Sequence, residues 1–182
     1  MLRIFPVRVR VDILFKKKLY KNQVAFLLFS GVVIALDQWT KHLALNQLLP
    51  YIPAYITSVF NLTLARNTGA AFSFLDSASG WQSLFFLCVN FCITVGLLVW
   101  LFMLPPKNRL KSFALSLIVG GAWGNIIDRV QLGYVVDFLD FHLGIYHWPI
   151  FNIADSAVCV GVVLLLFTYR TVGANNIRPS CQ

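Results

Sequence analysis

Long apolar segments constrain the fold of this chain more than any other feature. They cover roughly 23–45, 81–104, 112–130 and 153–169. A helix needs about 20 such residues, at about 1.5 Å rise each, to cross the hydrocarbon core of a bilayer. Only 12% of all residues are charged, against roughly 25% in soluble domains. The sequence therefore predicts an all-α membrane protein with four transmembrane helices, folded as a single integral-membrane domain over residues 1–182.

The basic residues are distributed unevenly, and this distribution predicts the orientation of the chain. Twelve of the fifteen Lys and Arg residues lie before residue 22, in the loop 105–111 or in the C-terminal tail. Because cytoplasmic loops are enriched in Lys and Arg, we expect both termini in the cytoplasm and a basic cytoplasmic N-terminal extension over 1–22. The net charge of +8 favours anionic membrane lipid as a partner. Nucleic-acid binding is not expected, because no basic face of a soluble fold is present.

Residues 46–80 are too irregular to form a span, since they contain Pro50, Pro53 and Gly69. Within them, TSVFNLTLARN partly alternates and is rich in β-branched residues, which is typical of short strands. We expect a small β-rich extracytoplasmic platform between the first and second helices. The long loops 46–80 and 131–152 then face outward, so the site is expected near the extracytoplasmic face.

Four of the seven acidic residues lie between positions 120 and 160, and the chain has no Glu. They are Asp128, Asp137, Asp140 and Asp155. A carboxylate at membrane depth is costly and indicates a functional site by default. Several carboxylates on one hairpin suggest acid–base chemistry.

Asn152 and Asp155 form an N-x-x-D pattern that predicts a capping box at the start of the last helix. A carboxylate in the first helical turn is stabilised as the anion by the helix dipole, so Asp155 is a candidate base. Asp137 is its candidate partner, because two carboxyls that share one proton can act as acid and base. Asp140 competes for that role. If VVDFLDF is extended, Asp137 and Asp140 point to opposite faces.

Two further groups of polar residues lie on helix faces. Asn125, Asp128 and Arg129 share one face at the end of the third segment, where Asn and Arg can orient carboxylates. The alternative is a helix-end polar network without chemistry. Asp37 and Lys41 lie four residues apart in the first segment. They form either an ion pair at the interface or an inward-facing group in which Asp37 orients the site.

Two other interpretations remain open at this point. His42, His142 and His147 could bind a metal with Asp140, but no H-E-x-x-H or comparable spacing is present, so we expect neither metal nor cofactor. A small proton-coupled transporter would also use membrane carboxylates. Such carriers often have inverted repeats and carboxylates near the midplane, whereas this sequence shows no repeat and its carboxylates cluster near one interface.

Five motifs occur in order over most of 36–162: LDQWTKHLA, ARNTGAAFSFL, GGAWGNIIDRV, GYVVDFLDF and FNIADSAVCVG. With these motifs the chain resembles the bacterial lipoprotein signal peptidase family, signal peptidase II. The resemblance implies an aspartic endopeptidase of the bacterial cytoplasmic (inner) membrane. It implies removal of signal peptides from diacylglyceryl-modified prolipoproteins, with cleavage before the lipidated cysteine. Inhibition by globomycin is expected for the same reason, and a monomer is expected.

The resemblance also assigns residues to the site. By position in VVDF and FNxAD, the catalytic pair falls on Asp137 and Asp155. Polar residues that line the family's site, including one in the first helix, match Asn67, Asn125, Arg129, Asn152 and Asp37. Asp128 falls in the NxxDR motif, where a structural role is expected.

Overall fold

The architecture comes from a computed structural model, which describes residues 21–69, 81–105 and 107–175. The helices are α1 Lys21–Gln47, α2 Trp81–Met103, α3 Arg109–Leu132 and α4 Ile153–Asn175. Three stretches are long and apolar enough to cross a membrane: Gln23–Gln47, Leu84–Met103 and Arg109–Leu132. The described apolar part of α4, Ile153–Thr168, is shorter. The predicted helical membrane architecture is confirmed to that extent. Most of the extension 1–22, and residues 70–80 of the platform, lie outside the described residues.

A small antiparallel sheet connects the helix ends. Its strands, in spatial order, are β1 Ala54–Thr57, β2 Phe60–Asn67, β3 Val135–Leu143 and β4 Tyr146–His147. The strands predicted within 46–80 are confirmed. The sheet is not confined to the loop between the first two helices, however, because β3 and β4 come from the loop after α3. Pairing with β3 covers an edge of β2 that would otherwise carry unpaired N–H and C=O groups.

The turn from α3 into β3 fixes where the strand begins. Gly133 ends α3 in the left-handed conformation, with φ 80°, and its N–H donates to the carbonyl of Arg129 at 3.2 Å, as is common at helix C-termini. The Asp128 carboxylate accepts the N–H of Val136 at 2.9 Å. Asp128 therefore has the structural role expected of it, since it attaches the start of β3 to the helix end.

The helix α3 is central in the bundle and packs against α1, α2 and α4. Its glycines allow this close approach, as small residues do at helix interfaces in membranes. A Cβ added at Gly124 would lie 2.5 Å from the Asp37 carboxylate in α1, and one at Gly121 would overlap the carbonyl of Ala154 in α4. The C-terminal half of α3 is thereby held against the two helices that carry Asp37 and Asp155.

Candidate active site

The start of α4 is a capping box, as the N-x-x-D pattern predicted. The side-chain Oδ1 of Asn152 accepts the N–H of Asp155 at 2.9 Å, and Asp155 Oδ2 accepts the N–H of Asn152 at 3.3 Å. These reciprocal bonds satisfy two main-chain donors that a helix N-terminus leaves free. They also fix the Asp155 carboxylate in the first turn, with its Oδ1 available to other partners.

Asp137 lies on β3 and is only 2% exposed. Its two carboxylate oxygens accept side-chain N–H bonds from Asn152 at 2.7 Å and from Asn67 at 2.9 Å. Burial raises the pKa of Asp137 to about 6, and the nearby Asp155 adds to the rise. The bonds from Asn67 and Asn152 and the charge of Lys41 oppose it. Asp137 can therefore hold a proton at a pH where an ordinary Asp is ionised.

Asn125 links the second carboxylate to the first. Its Nδ2 donates to Asp155 Oδ1 at 2.8 Å, and its Oδ1 accepts from Asn152 Nδ2 at 3.2 Å. A continuous path therefore runs from Asp137 through Asn152 and Asn125 to Asp155. Because each asparagine donates to a different carboxylate, the path holds both acids in fixed orientations.

A buried charge cluster lies beneath this path. Lys41 Nζ is 2.8 Å from the Asp37 carboxylate, 2.9 Å from that of Asp128 and 2.9 Å from Asn125 Oδ1. All three charged side chains are at most 3% exposed. Asp37 also accepts the N–H of Ala154 at 2.9 Å. The inward-facing interpretation of the Asp37–Lys41 pair is therefore correct, and Asp37 orients the start of α4.

A groove of about 340 Å³ lies beside Asp155, between α2, α3 and α4, and we call it the α2–α4 groove. Its volume is within the range of about 300–1,000 Å³ that is usual for ligand sites. Its polar end is formed by Asn125, Arg129 and Asp155. The rest of its wall comprises Phe86, Val89, Asn90, Ile93, Leu97, Ile118, Ala122 and Val158. Arg129, which is half-buried, therefore offers a guanidinium next to a candidate catalytic carboxylate.

Comparison with known proteins decides the family. The family model described as signal peptidase (SPase) II matches residues 29–170. The chain belongs to the signal peptidase II family. The resemblance read from its motifs is thus confirmed, and the transporter alternative is not favoured.

Relatives in this family match over most of the chain. The lipoprotein signal peptidase of Coxiella burnetii (strain RSA 331 / Henzerling II) is 47% identical over 146 residues, which is 80% of this chain and 90% of that protein. The lipoprotein signal peptidase of Alteromonas mediterranea is 43% identical over 150 residues, or 82% of each chain. Two solved bacterial membrane enzymes are also similar. The first has a TM-score of 0.72 at 34% sequence identity, and the match covers 80% of this chain and 92% of that one. The second has a TM-score of 0.74 at 32% sequence identity, and the match covers 87% of this chain and 95% of that one.

Asp140 does not join the candidate active site. It lies on β3 three residues after Asp137 and bonds instead to Thr63 at 2.8 Å and to His147 at 2.7 Å. Burial acts to raise its pKa, but the bonds from His147 and Thr63 and the nearby histidines outweigh burial, so the pKa of Asp140 is lowered. The expectation that the two carboxylates point to opposite faces of an extended strand is confirmed.

The histidines are not gathered around one point. His142 stacks on His147 with ring centroids 5.0 Å apart, whereas His42 bonds Asn46 on α1. Over the described ranges, no group of three His, Cys, Asp or Glu side chains has the geometry to hold a metal ion.

All seven residues assigned from the motifs lie in or next to the cluster around Asp137 and Asp155. Sequence reasoning did not include Lys41 or Gln38 among them. Gln38 Nε2 donates to Asp128 at 2.8 Å and to the Gly124 carbonyl at 3.1 Å. The four-residue spacing from Asp37 identified Lys41 as its partner, but the contacts to α3 involve residues more than 80 positions away, and no local pattern indicates them.

Proposed function

We propose that this chain removes signal peptides from diacylglyceryl-modified prolipoproteins by cleaving the amide bond before the lipidated cysteine, with Asp137 and Asp155 as the catalytic pair. The observation that carries the proposal is the path between the two carboxylates. Asn152 bonds Asp137, Asn125 bonds Asp155, and the two asparagines bond each other. These bonds hold the two acids in fixed orientations relative to each other, as joint action on one substrate requires.

The roles follow from the surroundings of each carboxyl. Asp137 carries the proton, because its pKa is raised to about 6. Asp155 serves as the base, because it lies in the first turn of α4, where the helix dipole favours a negative charge. Two carboxyl groups in different surroundings can divide the roles of acid and base.

The reaction is a hydrolysis. Asp155 takes a proton from water, and the resulting hydroxide attacks the carbonyl carbon of the scissile amide. Asp137 gives its proton to the leaving nitrogen as the C–N bond breaks. The signal peptide leaves with a new carboxyl terminus and the lipidated cysteine gains a free amino group. Transfer of the proton from Asp155 to Asp137 restores the starting pair.

The other site residues position these groups and the substrate. Asn67, Asn125 and Asn152 hold the carboxylates, and Asp37 holds the start of α4 through Ala154. Arg129 lines the polar end of the α2–α4 groove, where a cation can stabilise the negative charge that develops on the attacked carbonyl oxygen. The apolar wall of the groove is suited to acyl chains or apolar side chains that remain at membrane depth.

We also propose that α4 is a fourth span and that 1–182 forms one domain of the bacterial inner membrane with both termini in the cytoplasm. The 23 residues of α4 would extend about 35 Å at a rise of about 1.5 Å each. The twelve-to-three asymmetry of basic residues supports the orientation, which places the site near the extracytoplasmic face. We also propose that the protein is a monomer.

Cysteine accessibility tests this topology. In a cysteine-free background, Phe60→Cys in β2 is expected to react with an impermeant thiol reagent added from outside, and Asn108→Cys in the loop before α3 is not. The reverse labelling pattern would exclude the proposed orientation.

Substitution of the acids tests the catalytic pair. Asp137→Asn and Asp155→Asn are each expected to abolish cleavage of a diacylated prolipoprotein, because Asn cannot transfer protons. Acid–base assistance alone is worth about 10²–10⁴-fold. The double variant should be little slower than either single one, since the two groups act as a unit.

Asp140→Asn is the matched control, because it makes the same change on the same strand outside the path, and it should retain at least partial activity. Full activity in Asp137→Asn or Asp155→Asn would overturn the assignment. Additive losses would indicate two independent roles instead of a shared proton.

A further inference from the structure

Asn90 is an unusual residue for its position. Among the described residues of α2 that line the α2–α4 groove, it alone is polar, and its neighbours on that face are Phe86, Val89, Ile93 and Leu97. The helix is apolar enough to cross a membrane. A polar side chain at such a depth needs a hydrogen-bond partner, because lipid provides none.

The partners of Asn90 within the described part of the chain leave its amide with unused capacity. Its Nδ2 lies 3.4 Å from the carbonyl oxygen of Ala122. This is longer than the usual donor–acceptor distance of an N–H···O hydrogen bond, which is about 2.7–3.2 Å. None of the described residues donates to its Oδ1. The side chain is half-buried and faces the groove. An amide can donate two hydrogen bonds and accept two, so Asn90 can bind a group that enters the groove.

The depth of Asn90 relative to the candidate catalytic carboxylates follows from α3. Ala122, which Asn90 contacts, lies three residues before Asn125, the residue that bonds Asp155. Three helical residues correspond to about 4.5 Å along the axis. Asn90 is therefore about one helical turn further into the groove than Asp155. An extended peptide covers that distance in one or two residues, at about 3.3 Å each.

We propose that Asn90 binds the main chain of the signal peptide, one or two residues upstream of the scissile bond. This inference rests on the proposed cleavage by Asp137 and Asp155, and on their location near the extracytoplasmic face. The groove runs from Asp155 toward the middle of the bundle, so it receives a membrane-embedded part of the substrate. Acyl chains have no hydrogen-bonding groups for Asn90, whereas the signal peptide has its main-chain N–H and C=O groups.

The chemistry explains why an amide is suitable there. A peptide bond inside a helix has its N–H and C=O engaged, so the segment around the cleaved bond must be extended. An extended segment at membrane depth exposes main-chain groups that lipid cannot satisfy. Asn90 offers a donor and an acceptor to one such peptide unit, and thereby favours the extended conformation in which the water activated by Asp155 can attack the scissile amide.

Substrates with single main-chain changes test this contact. Purified full-length protein is given diacylated prolipoprotein peptides in which the amide before one of the last three signal-peptide residues is replaced in turn by an ester, which removes one N–H. For the unaltered protein, one of these esters should lower kcat/KM by about three- to tenfold, as expected for the loss of one hydrogen bond. Asn90→Leu should lower kcat/KM on the normal substrate by a similar factor and should be insensitive to that ester.

Thr94→Val is the matched control. Thr94 is fully buried one turn away on α2, where its hydroxyl bonds the main-chain carbonyl of Asn90, and it does not line the groove. This variant should keep the ester sensitivity of the unaltered protein. The ratio between two substrates does not depend on how much protein is folded, and Asn90→Ala gives a second test if Asn90→Leu expresses poorly.

The outcomes separate the two levels of inference. If Asn90→Leu and Asn90→Ala respond to each ester as the unaltered protein does, or if no ester has a position-specific effect, the contact with the peptide main chain is excluded. If the unaltered protein fails to cleave the normal diacylated substrate, the proposed function itself is wrong. Sensitivity that is lost only in the Asn90 variants supports the contact.

Discussion

Replacement of Lys41 by Met should destabilise the protein more than any other single change of a basic residue in the described site. Lys41 is 2% exposed and lies within 2.9 Å of two carboxylates that are themselves almost fully buried. Met matches much of the volume but leaves Asp37 and Asp128 without their cation. Removing one partner of a buried ion pair costs about 3–5 kcal/mol.

The size of this effect can be compared with the whole stability. Native domains are stable by about 5–15 kcal/mol, so the loss is a large fraction of it. For a chain of this length, about 1 kcal/mol changes the melting temperature by roughly 2–4 °C. Lys41→Met should therefore melt roughly 6–20 °C below the unaltered protein. Thermal unfolding in detergent, followed by tryptophan fluorescence, measures the difference.

Two further variants identify the cause. Lys107→Met removes an exposed lysine in the loop before α3 and should leave the melting temperature unchanged. Lys41→Met/Asp128→Asn removes one of the uncompensated carboxylates, so it should melt above Lys41→Met alone. A Lys41→Met protein that melts like the unaltered one would refute the reasoning, because the ion pairs would then contribute nothing net.

Two more predictions concern the site. Burial raises the pKa of Asp137 to about 6 and the reaction needs its proton, so kcat/KM should fall as pH rises through about 6. Asn67→Ala removes a bond that lowers this pKa and should move the midpoint of the pH profile upward. An unchanged midpoint would show that Asp137 is not the acid. Gly124→Ala should reduce activity and stability, because its Cβ would lie 2.5 Å from Asp37 Oδ2. The control Gly31→Ala in α1 should be tolerated, because its Cβ would meet nothing within 4 Å. Equal melting temperatures of these two variants would show that Asp37 can move freely.

Local patterns in the sequence predicted the parts of the site that depend on a few neighbouring residues. The N-x-x-D pattern identified the capping box of Asn152 and Asp155, and strand alternation predicted that Asp137 and Asp140 face opposite sides. Both follow from the geometry of a single element. The motifs then supplied residue assignments that local patterns could not.

Contacts between segments distant in the chain could not be predicted from local sequence patterns. The bond of Asn67 to Asp137 depends on the pairing of β2 with β3 across 70 residues, and the sheet was predicted from only one of the two loops that form it. The role of Lys41 as a bridge depends on the close packing of α1 against α3. In both cases the partner is determined by helix packing and strand register, which no short stretch of sequence encodes.

The site is built at a helix start, and this determines which substitutions are informative. The first N–H groups of α4 have no partners within the helix, and in this protein Asp37 and the side chain of Asn152 accept those of Ala154 and Asp155. Asp155 in turn accepts the N–H of Asn152, so the candidate base is also part of the cap. Asp155→Ala would remove that cap, at a cost of about 0.5–2 kcal/mol, and would mix loss of fold with loss of chemistry. Asp155→Asn keeps one oxygen that can accept the same N–H, so it retains the cap; its amide nitrogen then replaces the oxygen that accepts from Asn125 Nδ2, so the variant loses that bond together with the proton transfer.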